Sequence, residues 1–111
     1  LYIHLKGPDE PAHDGNFIKK KEVIEAIDSF FFGKLLTQLE LKDVIICVTA
    51  DHSTPCILRA HSADPVPILI SGGNIKGNGT KLFTEEEARR GKLGELNGIE
   101  VLPRIIEFAS L

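Results

Sequence analysis

The segment VIICVT at 44–49 constrains this chain more than any other. It is a continuous apolar run rich in β-branched side chains, cut off at once by ADHSTP at 50–55. Such a run predicts a strand buried on both faces, as in sheets covered by helices. Its abrupt end needs a reason. Asp51 and His52 are ionisable, and burying charge without a partner is costly. In α/β sheets functional side chains gather on the loops after strand ends.

The flanking sequence extends the pattern. LYIHL at 1–5 reads as a strand that stops at Lys6-Gly7-Pro8. GPDEPAHDGN at 7–16 holds two Gly and two Pro and reads as a loop. From Phe17 to about Gln38, Val23, Ile24, Ile27, Phe30, Phe31 and Leu35 recur at helical spacing, opposite charged residues such as Lys19, Lys20 and Glu22. That predicts an amphipathic helix, with Asp14 or Asn16 as its N-cap. VPILIS at 66–71 predicts another buried strand, followed by a turn at Gly72-Gly73 and a loop to residue 81. Thr84 with Glu87 matches a capping box for a short helix ending by Gly91. Residues 99–109 predict a terminal helix, with Pro103 tolerated only near its first turn. Strands alternating with helices argue for an α/β fold with a largely parallel sheet.

The bulk numbers exclude several classes. A length of 111 residues allows one domain at most. With 42% hydrophobic and 26% charged residues the composition is that of a globular chain. A net charge of −3 gives no basic stripe, so no nucleic-acid partner is expected. No apolar run reaches the roughly 18 residues of a membrane span, and no signal peptide opens the chain. A cytoplasmic location is the default expectation. Cys47 and Cys56 are too few for a disulfide framework: Cys47 reads as a packed small hydrophobe, Cys56 as a bystander or a neighbour of a metal. The chain opens without Met on what reads as a core strand, which predicts a fragment of a longer polypeptide.

Three constellations could carry chemistry. Asp9-x-x-x-His13 follows the first predicted strand, Asp51-His52 follows the second, and His61 lies nine residues beyond His52. If the strands are neighbours, five ligand-type side chains converge on one sheet edge. Mixed Asp and His ligation suits Mn²⁺ or Zn²⁺. Two such ions about 3.5–4 Å apart clamp a phosphoryl group and activate an oxygen nucleophile. Five residues are too many for one open tetrahedral site and too few for two complete ones. Each piece also has a plainer reading: Asp9 and Asp14 as caps, His13 as a solvated residue, His61 as structural. His4 reads as packed within its strand. Gly72 to Gly79, GGNIKGNG, lacks the order of a phosphate loop, and Glu85-Glu86-Glu87 reads as a favourable helix start.

Taken together, KGPDEPAHDGN at 6–16, TADHSTP at 49–55, AHSADPVPILISG at 60–72 and GKLGELNGIEVLPRIIEF at 91–108 resemble the C-terminal motifs of archaeal-type cofactor-independent phosphoglycerate mutases. These belong to the alkaline phosphatase superfamily. The resemblance implies a three-layer α/β/α fold with a mostly parallel sheet, incomplete here, so that residues 1–111 form the C-terminal portion of the metal-binding domain. It implies interconversion of 3-phosphoglycerate and 2-phosphoglycerate through a phosphoserine, with two divalent ions, usually Mn²⁺ or Zn²⁺, and no 2,3-bisphosphoglycerate. Asp9, His13 and His61 would bind one ion, and Asp51 with His52 the other. The family's nucleophilic serine lies far upstream, so no catalytic nucleophile is expected here and the isolated chain should be inactive. The missing N-terminal part of the same protein is then a partner, and homo-oligomerisation stays open. A metal-dependent phosphatase or phosphodiesterase of the same superfamily, or a non-catalytic metal-binding fragment, are the other readings.

Overall fold

A computed structural model describes all residues, Leu1–Leu111. The chain divides into two compact units. The first comprises Leu1–Gln38 and His52–Asp64, the second Leu39–Asp51 and Pro65–Leu111.

In the first unit, residues 1–5 are exposed and form no strand, contrary to the sequence expectation. A strand needs a ladder neighbour for its backbone groups, and this run has none in the chain. The segment expected as a loop instead contains a short helix, α1, Asp9–His13. Pro8 sits at its N-cap and Pro11 in its first turn, where the missing N–H has no intrahelical acceptor to lose. Gly15, at φ +68, ends α1 in the left-handed conformation that glycine adopts without strain. Ala12 is fully buried on this helix.

Asn16 then caps α2, Phe17–Ala26, its side chain accepting from the Lys19 backbone N–H. The helix runs on through a π-helical stretch, Ile27–Phe32, into α3, Gly33–Gln38. The single long helix expected over 17–38 is therefore continuous but locally widened. No side chain along it is fully buried, and Phe30 is 80% exposed.

The second unit holds a 3-10 turn at Leu41–Asp43, strand β1, Ile45–Val48, and strand β2, Leu69–Gly72. Both strands fall where the apolar runs predict them. Their pairing is antiparallel, with Ile45 opposite Gly72 and Val48 opposite Leu69, where a largely parallel sheet was expected. Their side chains are at best half-buried, because two strands cannot cover both faces of each other. Gly72, at φ +108, brings its backbone against the Val44 carbonyl, where any Cβ would collide. Thr84 caps α4, Glu85–Arg89, through the Glu87 N–H, as the sequence predicts. The last helix, α5, Gly98–Ala109, has Pro103 as its sixth residue, beyond the first turn where proline was expected to be confined. Helices beside a short sheet make this an incomplete α/β fold. No helix is long and apolar enough to cross a membrane.

Candidate metal centre

The centre lies within the first unit. α1 supplies Asp9 and His13, which at i and i+4 share one helix face. The segment 52–64 supplies His52 and His61. Its ends are drawn together by a bridge in which Ser62 N–H donates to the Ser53 carbonyl at 3.0 Å. That closure sets His52 and His61 side by side, their rings stacked with centroids 3.7 Å apart. Lys20 of α2 donates to the Thr54 carbonyl at 2.9 Å and ties the segment to the helix.

Three ligand-type atoms form a tight triangle. His13 Nε2 is 3.3 Å from Asp9 Oδ1 and 3.2 Å from His61 Nε2, and His61 Nε2 is 3.6 Å from Asp9 Oδ1. Ligands bound at about 2.1 Å with tetrahedral angles stand about 3.4 Å apart. The triangle therefore has the edge lengths of one face of a coordination tetrahedron. All three side chains are partly exposed, which leaves the fourth direction open to solvent. Asp9 faces His52 as well: suitable atoms of Asp9, His52 and His61 lie within 4.8 Å of one another.

Hydrogen bonds orient the side chains of this cluster. Thr54, 5% exposed, is the one buried polar residue. Its Oγ1 lies 2.8 Å from Asp9 Oδ1 and 3.1 Å from His52 Nδ1. A carboxylate only accepts, so the single hydroxyl proton goes to Asp9. The hydroxyl oxygen must then accept from His52 Nδ1–H, which leaves His52 Nε2 as the lone pair. The Arg59 carbonyl lies 3.3 Å from His13 Nδ1 and orients the ring, so that Nε2 faces Asp9 and His61. Backing hydrogen bonds of this kind orient imidazoles for metal ligation. The Thr54 hydroxyl is the main cause holding the Asp9 carboxyl below its ordinary pKa; partial burial opposes it, and His13, His52 and His61 reinforce it. A carboxylate that stays ionised among imidazoles is a donor set that fits a divalent cation.

The structure brings Asp9, His13, His52 and His61 together. Asp51 directly precedes His52 in the chain and is exposed. The sequence reading passed over Thr54 and Arg59. Thr54 had a signal, since it stands two residues after His52 in a motif already marked for chemistry. Cys47 is half-buried, and burial pushes its thiol pKa up, in line with a packed small hydrophobe.

Known proteins resemble this chain over nearly its whole length. The chain is 40% identical over 108 residues to a 2,3-bisphosphoglycerate-independent phosphoglycerate mutase of Thermococcus kodakarensis, covering 97% of this chain and 26% of that protein. It is 44% identical over 111 residues to a protein of the same name from Aeropyrum pernix, again covering 26% of it. The chain thus spans about a quarter of the length of the curated relatives it matches. The solved structure of the PH0037 protein from Pyrococcus horikoshii superposes with a TM-score of 0.92 at 40% identity, over 96% of this chain and 32% of that one. The model of the Metalloenzyme superfamily matches residues 1–105, and with the ligand cluster lying inside that span, the chain belongs to the Metalloenzyme superfamily.

Proposed function

We propose that this chain supplies the metal-binding half of a phosphoglycerate mutase site, the C-terminal part of a protein that interconverts 3-phosphoglycerate and 2-phosphoglycerate in the cytoplasm. The observation that carries this reading is the triangle of Asp9 Oδ1, His13 Nε2 and His61 Nε2, with edges of 3.2 to 3.6 Å. The names of the relatives supply the reaction and its independence from 2,3-bisphosphoglycerate.

In this reading Asp9, His13 and His61 hold one divalent ion, and His52 with Asp51 takes part in holding a second. Bound ions of this type neutralise phosphoryl charge and lower the pKa of an oxygen nucleophile. The chain's own residues do the preparatory work. Asp9 stays ionised, the Thr54 hydroxyl and the Arg59 carbonyl orient two imidazoles, and the open side of the triangle leaves room for phosphoryl oxygens. The nucleophile, the groups that grip the substrate and the remaining ligands come from the other part of the parent protein. The 111-residue chain alone is therefore inactive as a mutase.

Calorimetric titration with Mn²⁺ and Zn²⁺ tests the centre. Binding is expected in the parent sequence and lost in both His13→Ala and His61→Ala. Unchanged binding in either folded variant removes that residue from the site. An assay of the longer protein separates mutase from phosphatase: isomerised phosphoglycerate supports the proposal, while net release of inorganic phosphate supports hydrolysis by the same ligands.

A further inference from the structure

His52 and His61 flank a loop that contains no helix or strand. Their rings are nevertheless stacked, with centroids 3.7 Å apart and planes 29° from parallel. Bringing the ends of a loop together costs entropy, so contacts at its base must hold it closed.

The base is a single antiparallel bridge between Ser53 and Ser62. Side chains alternate along paired segments, so the histidine before each serine falls on the face away from the serine side chains. In this register His52 stands opposite Ala63, and His61 is its diagonal neighbour, a spacing that an aromatic ring can span. A slip of one residue would turn one imidazole to the other face. The bridge itself supplies one main-chain hydrogen bond, from the Ser62 N–H to the Ser53 carbonyl at 3.0 Å. One bond holds a register weakly.

Asp64 supplies the rest. Its carboxylate accepts from the Ser62 hydroxyl at 2.6 Å, and its own N–H donates to that hydroxyl oxygen at 3.4 Å. Its carbonyl accepts from the Ser53 hydroxyl at 3.1 Å. One residue thus holds both serines of the bridge, on the face opposite the imidazoles. We propose that Asp64 is a positioning residue of the metal centre: with Ser53 and Ser62 it forms a clasp that fixes the loop register and so sets His52 beside His61. It acts through the two serines. The inference rests on the metal-centre reading above and adds the device that keeps two of its imidazoles together before any ion arrives. Ligands held in place in advance bind more tightly, because less ordering is left to the binding step.

Nuclear Overhauser contacts between the His52 and His61 rings of the metal-free chain read the register directly, and Zn²⁺ titration reads its consequence. The contacts are expected in the parent sequence. Asp64→Ala and Ser62→Ala are each expected to lose them, with Zn²⁺ affinity falling on the order of tenfold. The two losses are expected to be shared in the double variant, because both remove the same hydrogen bond. Amide exchange in α1 and α2 is expected to stay as in the parent, which general unfolding would not allow. Asp64→Asn keeps an acceptor for the Ser62 hydroxyl and is expected to retain the ring contacts, with affinity within about threefold of the parent. A parent chain without the ring contacts overturns the proposal whether or not any variant folds. So do ring contacts and affinity left unchanged in Ser62→Ala, which removes a single oxygen atom. A loss in Asp64→Asn as large as that in Asp64→Ala overturns it too, since the effect then lies in the charge of Asp64. The metal-centre reading fails separately: a parent chain that shows the ring contacts but binds neither Zn²⁺ nor Mn²⁺ overturns that reading, while control of the register by Asp64 stands.

Discussion

Thr54 shows how one buried hydroxyl governs two candidate ligands. It donates to Asp9 and accepts from His52, so its removal frees both at once. Thr54→Val keeps the shape and deletes the hydroxyl; metal affinity is expected to fall about 10–100-fold in titration, while Thr54→Ser restores most of it. The same bond shapes the acid stability. The Asp9 carboxyl is held below its ordinary value of 3.8, first by the Thr54 hydroxyl, so the folded state binds its proton less readily than the unfolded state. The stabilisation from Asp9 is then fully present above the unfolded value and is lost as pH falls through the lower folded one. Urea unfolding at stepped pH is expected to show a gap between the parent and Asp9→Asn near pH 6 that narrows as the pH falls below 3.8 and through the lower folded-state value. A gap that stays constant across that range places the Asp9 contribution outside its charge. At this scale the sequence is readable for residues whose type carries the chemistry. Asp9, His13, His52 and His61 stand out because carboxylates and imidazoles next to predicted strands are few. Thr54 and Arg59 do not, because one acts through the direction of a hydrogen bond and the other through a backbone carbonyl, neither of which a residue's identity discloses.

Elements were legible where a local signal sufficed. The Thr84 cap, the Asn16 cap and the two apolar strand runs all act within a few residues, and each lies where the sequence predicts. The pairing of β1 with β2 was not legible, since strand direction depends on what else borders the sheet. Nor was α1, because its prolines read as loop signals until their place at the helix start is known. That placement matters for function: only a helical turn puts Asp9 and His13 on one face, and an extended loop would separate them. The capping logic can be checked on α4. Thr84→Ala removes the acceptor for the Glu87 N–H and is expected to lower local helix stability by about 1 kcal/mol. Amide exchange at Glu87 is expected to speed up by about fivefold, with the exchange of β1 amides unchanged; an unaltered Glu87 rate assigns the helix start to its flanking contacts instead.

Across the whole molecule, apolar surface outruns what the chain covers by itself. The accessible area is 8710 Å². A folded monomer of 12.2 kDa is expected to expose only about 6,100 Å². No large side chain is fully buried. α5 shows the imbalance most clearly: Val101, Ile105 and Phe108 are half-buried, yet Ile99, Leu102 and Ile106 form an exposed stripe at helical spacing, with Ile99 at 88%. A helix apolar on both sides is normally covered on both. A second exposed set, Phe17, Ile18 and Phe30, lies along α2 and the π-helical stretch. Exposed apolar area on this scale marks surfaces that other protein normally covers. The isolated chain is therefore expected to bind the dye 8-anilinonaphthalene-1-sulfonate strongly and to associate with rising concentration in sedimentation velocity runs. Ile99→Lys with Leu102→Glu would interrupt one stripe and is expected to lower both signals while leaving the Asp9, His13 and His61 centre able to bind metal, because those residues lie in the other unit. A chain that stays monomeric at high concentration without dye binding would mean that these side chains rearrange to cover one another.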